Sequence, residues 1–177
     1  VTLNPIQVAR RLVLLRHAKA EPAGTVADTL RPLALTGRKQ AARVGPALVD
    51  ADVVPELVLC SDAVRTRQTW DLLKAGLGDA EPEVVVSPQI YSAGVEEILE
   101  LVGAVDPRVR TVLVVGHEPT MSAVAAYLAG PGSDPAAHAQ VQVGVPTAAY
   151  SVLESDLPWS QWSARSAVLT TLDRPHV

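Results

Sequence analysis

Four stretches of this chain carry short, nearly unbroken apolar runs: RLVLLR at 11–16, LVLC at 57–60, EVVVS at 83–87 and TVLVV at 111–115. The first is of the kind buried on both faces of an α/β sheet, the last is the most convincing buried strand, and the other two read as short strands. Between them the period changes to that of a helix. After Thr36, a residue type that caps helices, Ala41, Val44 and Leu48 recur at helical spacing, and residues 50–55 close the segment. Ser61 and Asp62 offer caps for a second helix carrying Val64, Trp70, Leu73 and Leu77, ended by Gly76 and Gly78. Residues 95–104 read as a third helix. Pro119, tolerated in a first turn, opens a fourth with Val124, Ala125 and Leu128 inward, stopped by Gly130, Pro131 and Gly132. The rest reads as strands at 141–145, 149–154 and 164–172, with turns at Pro146-Thr147 and around Pro158.

Strands alternating with helices predict an α/β fold: a single domain over residues 1–177, built as a three-layer sandwich. Its central sheet is largely parallel, with helices on both faces and antiparallel additions from the C-terminal strands. A chain of 177 residues buries a continuous core without disulfides or metal as staples.

Composition narrows the class. With 48% hydrophobic and 19% charged residues the chain is too apolar for disorder and too interrupted by Arg, Asp, Pro and Gly for a membrane protein. There is no Phe, so the core is aliphatic; Trp70, Trp159 and Trp162 are read as packing residues rather than platforms for bases. A formal net charge of -4 argues against nucleic acid and anionic membranes as partners, since both need a broad basic surface. The single Cys60 ends an apolar run and is read as a small buried strand residue without a catalytic role. With no internal disulfide, no Cys/His zinc spacing and arginines around the early apolar stretch, the expected location is the cytoplasm, with no cofactor. Apolar periodicity is the same for a core face and a subunit interface, so it leaves the oligomeric state open.

The chemistry lies where strands end. Arg16-His17 follows the first, residues 61–65 the second and Gly116-His117 the fourth. If these strands are parallel, all three clusters share the rim where α/β sheets bind ligands. Two arginines and two histidines without a carboxylate of equal standing make a pocket for an anion, and the guanidinium fork matches phosphate. The same positive field opposes protonation, so one imidazole can stay neutral and nucleophilic. Flanking arginines repel a divalent cation, and no metal is expected between the histidines.

LVLLRHAKAE resembles the signature of the histidine phosphatase superfamily, in which a strand ends in Arg-His-Gly and the histidine becomes phosphorylated; Ala18 stands where the glycine would be. SDAVRTRQT, residues 61–69, is similar to the family's Ser-x-x-x-Arg-x-x-x-Thr segment and points to Arg65 rather than Arg67. VVGHEP supplies His117, and the matches run in order from residue 12 to about 128. The short chain, the Arg-His-Ala start and RPLALTGRKQA at 31–41 look like the SixA-type phosphohistidine phosphatase branch.

The resemblance implies a metal-independent phosphatase working by two displacements: His17 takes the phosphoryl group, and water then releases it, while Arg16, Arg65 and His117 stabilise the oxygens. Arg31 would be a further basic residue near the phosphate, or equally a turn residue before Pro32. Asp28 would neutralise Arg31 or serve the leaving group, and Lys19 and Glu21 would line the mouth. Larger members use a carboxylate as general acid; Glu96 and Glu97 hold the matching position but sit on an ordinary amphipathic helix. An imidazole can leave neutral without such an acid, which suits a phosphohistidine protein as substrate. Two alternatives use the same residues: a phosphomonoesterase of small metabolites, with Glu96, Glu97 or Asp28 as acid, and a phosphoryl-binding module without turnover, hinted at by Ala18. His138 and His176, in loop-like surroundings, have no assigned role.

Overall fold

In the computed structural model of the protein, which describes residues 9–176, the run RLVLLR lies inside the central strand β1 (Arg10–Arg16), and Leu12 to Leu15 are at most 2% exposed. On one side β1 pairs in parallel with β4 (Thr111–Gly116), which pairs in parallel with β2 (Leu57–Ser61), and β2 with β3 (Glu83–Ser87). On the other side β5 (Tyr150–Ser155) runs antiparallel to β1, and β6 (Val168–Asp173) antiparallel to β5. The six-stranded order is β3-β2-β4-β1-β5-β6.

Successive side chains of a strand point to opposite faces, and the central strands divide their apolar residues accordingly. Leu12, Leu14, Val112 and Val114 pack with α3 (Val95–Gly103), α4 (Thr120–Leu128) and α5 (Pro135–Val141) through Ile98, Val102, Val124, Leu128 and Val141. Val13, Leu15, Leu113 and Val115 pack with α1 (Leu35–Asp50) and α2 (Val64–Lys74) through Val44, Leu48, Trp70 and Leu73. Each such buried aliphatic side chain contributes about 1.5–3 kcal/mol, which is why these inward positions are all apolar. The expected sandwich, with helices on both faces, is what forms. Trp159 and Trp162 are buried in the first of these layers, their rings 4.9 Å apart. No helix among the described residues is long and apolar enough to cross a membrane.

Several local expectations are corrected. Thr36 does not cap α1: Ala34 is its N-cap, without a side-chain bond. Ser61 and Asp62 do not cap α2, which starts after Ala63; the Ser61 hydroxyl only accepts the Ala63 amide at 3.3 Å. The strand expected at 141–145 is the end of α5 followed by a turn. The Asp134 carboxylate accepts the Ala137 amide at 2.9 Å with Pro135 in the first turn, so Asp-Pro was the missed start signal. Val141 and Val145 are buried while Val143 is 83% exposed, an alternation by four that imitates one by two. The last strand begins at Val168, not 164, because the Ala167 amide donates to Leu128 at the end of α4 and its carbonyl accepts from Gly130 just after it, instead of pairing with β5.

Register brings the strand ends together. Arg16 lies opposite Gly116 and Cys60 opposite Val115, so the residues that follow β1, β2 and β4 emerge at one rim. The helix α1 closes on that rim at Gly37, where an added Cβ would stand 1.9 Å from the Lys19 carbonyl oxygen; only glycine permits this contact.

Candidate active site

His17 stands one residue beyond β1, 8% exposed, its amide donating to the Gly116 carbonyl at 3.0 Å. Its carbonyl and that of Arg16 both accept the amide of Ala148, whose backbone is left-handed (φ 62°). The ring Nδ1 lies 2.7 Å from the Ala18 carbonyl oxygen. A carbonyl only accepts, so Nδ1 carries the hydrogen, and in the neutral ring Nε2 keeps a free lone pair. Ala18 is fully buried, with its amide donating to Thr69 Oγ1 at 3.0 Å; that hydroxyl donates to the Arg65 carbonyl at 2.7 Å. Thr69 thus ties the segment after β1 to the turn of α2 that carries Arg65.

His117 follows β4, its ring centroid 5.4 Å from that of His17 and 5.3 Å from that of Tyr91, which it meets edge-on. Its Nε2 is 2.8 Å from the Ser61 hydroxyl at the end of β2. Arg65 is buried in the first turn of α2, whereas Arg67 is exposed. Arg65 donates through Nη1 to the Asp28 carbonyl at 2.8 Å and through Nη2 to the Asp28 carboxylate at 3.0 Å. Arg16 donates through Nη1 to the Val145 carbonyl at 2.8 Å. Arg16 Nε, Arg65 Nε and His117 Nδ1 are buried without a hydrogen-bond partner, so the polar demand of this corner exceeds what the protein itself supplies.

Asp28 gathers the cluster's cations. Arg31 donates to its Oδ1 through Nε at 3.1 Å and Nη2 at 3.0 Å and reaches the Glu21 carbonyl with Nη1 at 2.8 Å. The Tyr91 hydroxyl donates to Asp28 Oδ2 at 2.5 Å. That hydrogen bond first, and then those from Arg65 and Arg31, hold the Asp28 carboxyl far below its ordinary range, so it is an anion and not an acid in reserve.

Both histidines are pushed the other way from protonation. Burial, reinforced by Arg65, Arg16 and Arg31 and only partly opposed by the Ala18 carbonyl, lowers His17 to about 4. Burial, then His17 and Arg65, lower His117 to about 3. Both rings are neutral at neutral pH. Since the folded values lie below the ordinary 6.5, the unfolded chain binds more protons beneath that pH. Stability is therefore complete above pH 6.5 and falls as the pH drops toward about 4. Denaturant titrations between about pH 7 and about pH 4.5 check this: the midpoint declines, and His17→Asn loses part of the slope. An unchanged slope in that variant contradicts the buried neutral ring.

The structure thus brings Arg16, His17, Arg65 and His117 together and joins Asp28 and Arg31 to them. It does not bring in Lys19, which is exposed and contributes no side-chain bond to the cluster. Glu97 caps α3 by accepting the Gly94 amide at 3.1 Å, and Glu96 lies exposed along the groove between α3 and α4. Cys60 is buried, which raises its thiol to about 12 and keeps it inert. Four residues of the site had no assigned role at the sequence level: Thr69, Tyr91, Glu118, and Ser61 as partner of His117. Position after a strand at the same rim is the signal that could have found Tyr91 and Glu118. A neutral imidazole with a free lone pair, flanked by guanidinium donors, can attack a phosphorus centre while its oxygens are held.

The sequence profile of the histidine phosphatase superfamily (branch 1) matches residues 12–91. The chain is similar to the structure of a proposed phosphohistidine phosphatase, SixA, from Nakamurella multipartitia: TM-score 0.80, 34% identity, covering 96% of this chain and 98% of that one. A protein of the same description from Agrobacterium tumefaciens gives a TM-score of 0.78 at 30% identity over 94% of this chain and 98% of that one. An uncharacterized protein of Mycobacterium leprae (strain TN) is 34% identical over 165 residues, 91% of this chain and 99% of that protein.

Proposed function

This chain belongs to the histidine phosphatase superfamily, in its SixA-type branch, and is a hydrolase acting on phosphoryl groups; from that premise we propose that its substrate is a phosphohistidine carried on a protein, cleaved in the cytoplasm. His17 Nε2 attacks the phosphorus, forming a new N–P bond as the N–P bond to the substrate imidazole breaks. That imidazole departs neutral when its other ring nitrogen carries a proton. Water then attacks the phosphorus, the bond to His17 breaks, and inorganic phosphate leaves. Arg16, Arg65 and His117 hold the equatorial oxygens while charge redistributes, a role in which one well-placed donor supplies roughly 3–4 kcal/mol.

The observation that carries the substrate class is the state of the carboxylates. An alkoxide leaving group needs a proton donor, and the carboxylates of Asp28, Glu97 and Glu118 are all engaged. Asp28 is held ionised by Tyr91, Arg65 and Arg31. Glu118 is occupied by the amide and hydroxyl of Ser122 and the amide of Val145, and Glu97 caps α3. An imidazole leaving group tolerates this arrangement and a sugar alkoxide does not. The 34% and 30% identity to proteins described as proposed phosphohistidine phosphatases supports the same class.

A substrate panel tests it: kcat/KM for a phosphohistidine-bearing phosphotransfer domain should exceed that for sugar phosphates by about tenfold or more. Faster cleavage of a sugar or alcohol phosphate would replace this reading with that of a metabolite phosphomonoesterase. Binding without cleavage of any of them would leave the non-catalytic module.

A further inference from the structure

Beside the two histidines opens a cleft of about 690 Å³ whose floor includes Arg16 and Glu118, the chain neighbours of His17 and His117. Its walls are the turn Gly144 to Pro146 after α5 and the end of β6, Leu172 to Arg174. The phosphoryl corner and this cleft therefore share a boundary residue, Arg16.

The charges around the cleft are unevenly satisfied. Glu118 accepts the Ser122 amide at 2.8 Å, the Ser122 hydroxyl at 2.7 Å and the Val145 amide at 3.1 Å. Asp173 accepts the Tyr150 hydroxyl at 3.2 Å. Arg174, by contrast, is exposed and has no hydrogen-bond or ion-pair partner among the described residues, and its charge opposes that of Arg16. Of the four charged groups at this cleft, Arg174 alone has no protein partner among the described residues, and the complement of its guanidinium is an acidic side chain.

The apolar surface there faces outward. Val143, 83% exposed, stands on a ridge between this cleft and a smaller groove bordered by Pro119, Ala123 and Ala126. A small molecule inside the cleft would leave a ridge residue bare; a protein surface laid across it covers both the ridge and the lip.

We infer that this cleft and its ridge receive the polypeptide flanking the phosphohistidine of the substrate protein, with an acidic side chain meeting Arg174 and an apolar one covering Val143. The inference rests on the substrate class proposed above and adds the residues that select within it. Arg174 and Val143 act on recognition, and neither touches the reacting atoms.

The experiment compares kcat/KM for a phosphohistidine-bearing phosphotransfer domain with that for an aryl phosphate, which has no polypeptide to fill the cleft. In Arg174→Glu the ratio of the two should fall roughly tenfold, through KM, and the protein substrate's salt dependence should weaken. In Val143→Ser the ratio should fall about threefold. Both residues are exposed, so loss of folding does not confuse the result. Ratios within about twofold of wild type in both variants, with the protein substrate still cleaved, overturn the inference. Failure of the unsubstituted protein to cleave the phosphotransfer domain while it cleaves the aryl phosphate overturns the substrate reading, and the inference with it.

Discussion

Replacing His17 by alanine is expected to lower kcat by at least about 10⁴-fold with every substrate and to abolish the acid-labile phosphate otherwise trapped on the protein after rapid quenching. The size follows from what is removed. His17 Nε2 presents a free lone pair because Nδ1 is committed to the Ala18 carbonyl, whereas His117 Nε2 is paired with the Ser61 hydroxyl. The flanking arginines remain, so the variant should still bind a phosphate-like oxyanion such as tungstate. Mass spectrometry of the quenched wild type locates the phosphate, and calorimetry with tungstate separates lost chemistry from a collapsed pocket. Phosphate trapped on His117 instead, or turnover surviving in the variant, would move the nucleophile elsewhere.

The second large effect concerns a substitution that keeps charge. Arg65→Lys should reduce kcat/KM by about 10²–10³-fold even though the position stays cationic. Arg65 is buried, and its two amino groups divide between the Asp28 carbonyl and carboxylate. Those two hydrogen bonds set the plane of the guanidinium, with the Tyr91 ring 5.9 Å from its carbon. A lysine ammonium cannot hold both Asp28 acceptors and also present donors in a fixed plane to the phosphoryl oxygens. Tungstate affinity and kcat should fall together. A loss below about tenfold would mean that the local positive field suffices and that the fork geometry has little part in turnover.

Much of the fold was open to reading because the central strands are buried on both faces. Burial of that kind leaves no room for a polar residue, so LVLLR, LVLC and TVLVV stand out in the sequence and their ends mark the rim. The same logic failed at the periphery. VQVGV alternates like a strand, yet Val141 and Val145 point inward from the end of a helix and a turn while Val143 faces solvent. Ser61, Asp62 and Thr36 are capping residue types, but helix ends here are fitted to the packing of α1 and α2 against the rim, and backbone position overrides side-chain preference.

By itself the sequence determined the α/β class and the parallel core strands, and it pointed to Arg16, His17 and His117 because each follows an apolar run whose length and direction are legible, while the family resemblance pointed to Arg65 rather than Arg67. Only the tertiary structure decided that Asp28 is an ion pair partner and not an acid. Its three donors come from positions 31, 65 and 91, and the separation between Asp28 and Tyr91 is 63 residues. It also decided which ring nitrogen of His17 is free, that both histidines are neutral, and that Arg174 and Val143 border the cleft beside Arg16. Periodicity records which face of an element is buried; it carries no information on how distant loops meet. Charge state and tautomer depend on that meeting, through desolvation and hydrogen bonding at distances of a few ångströms.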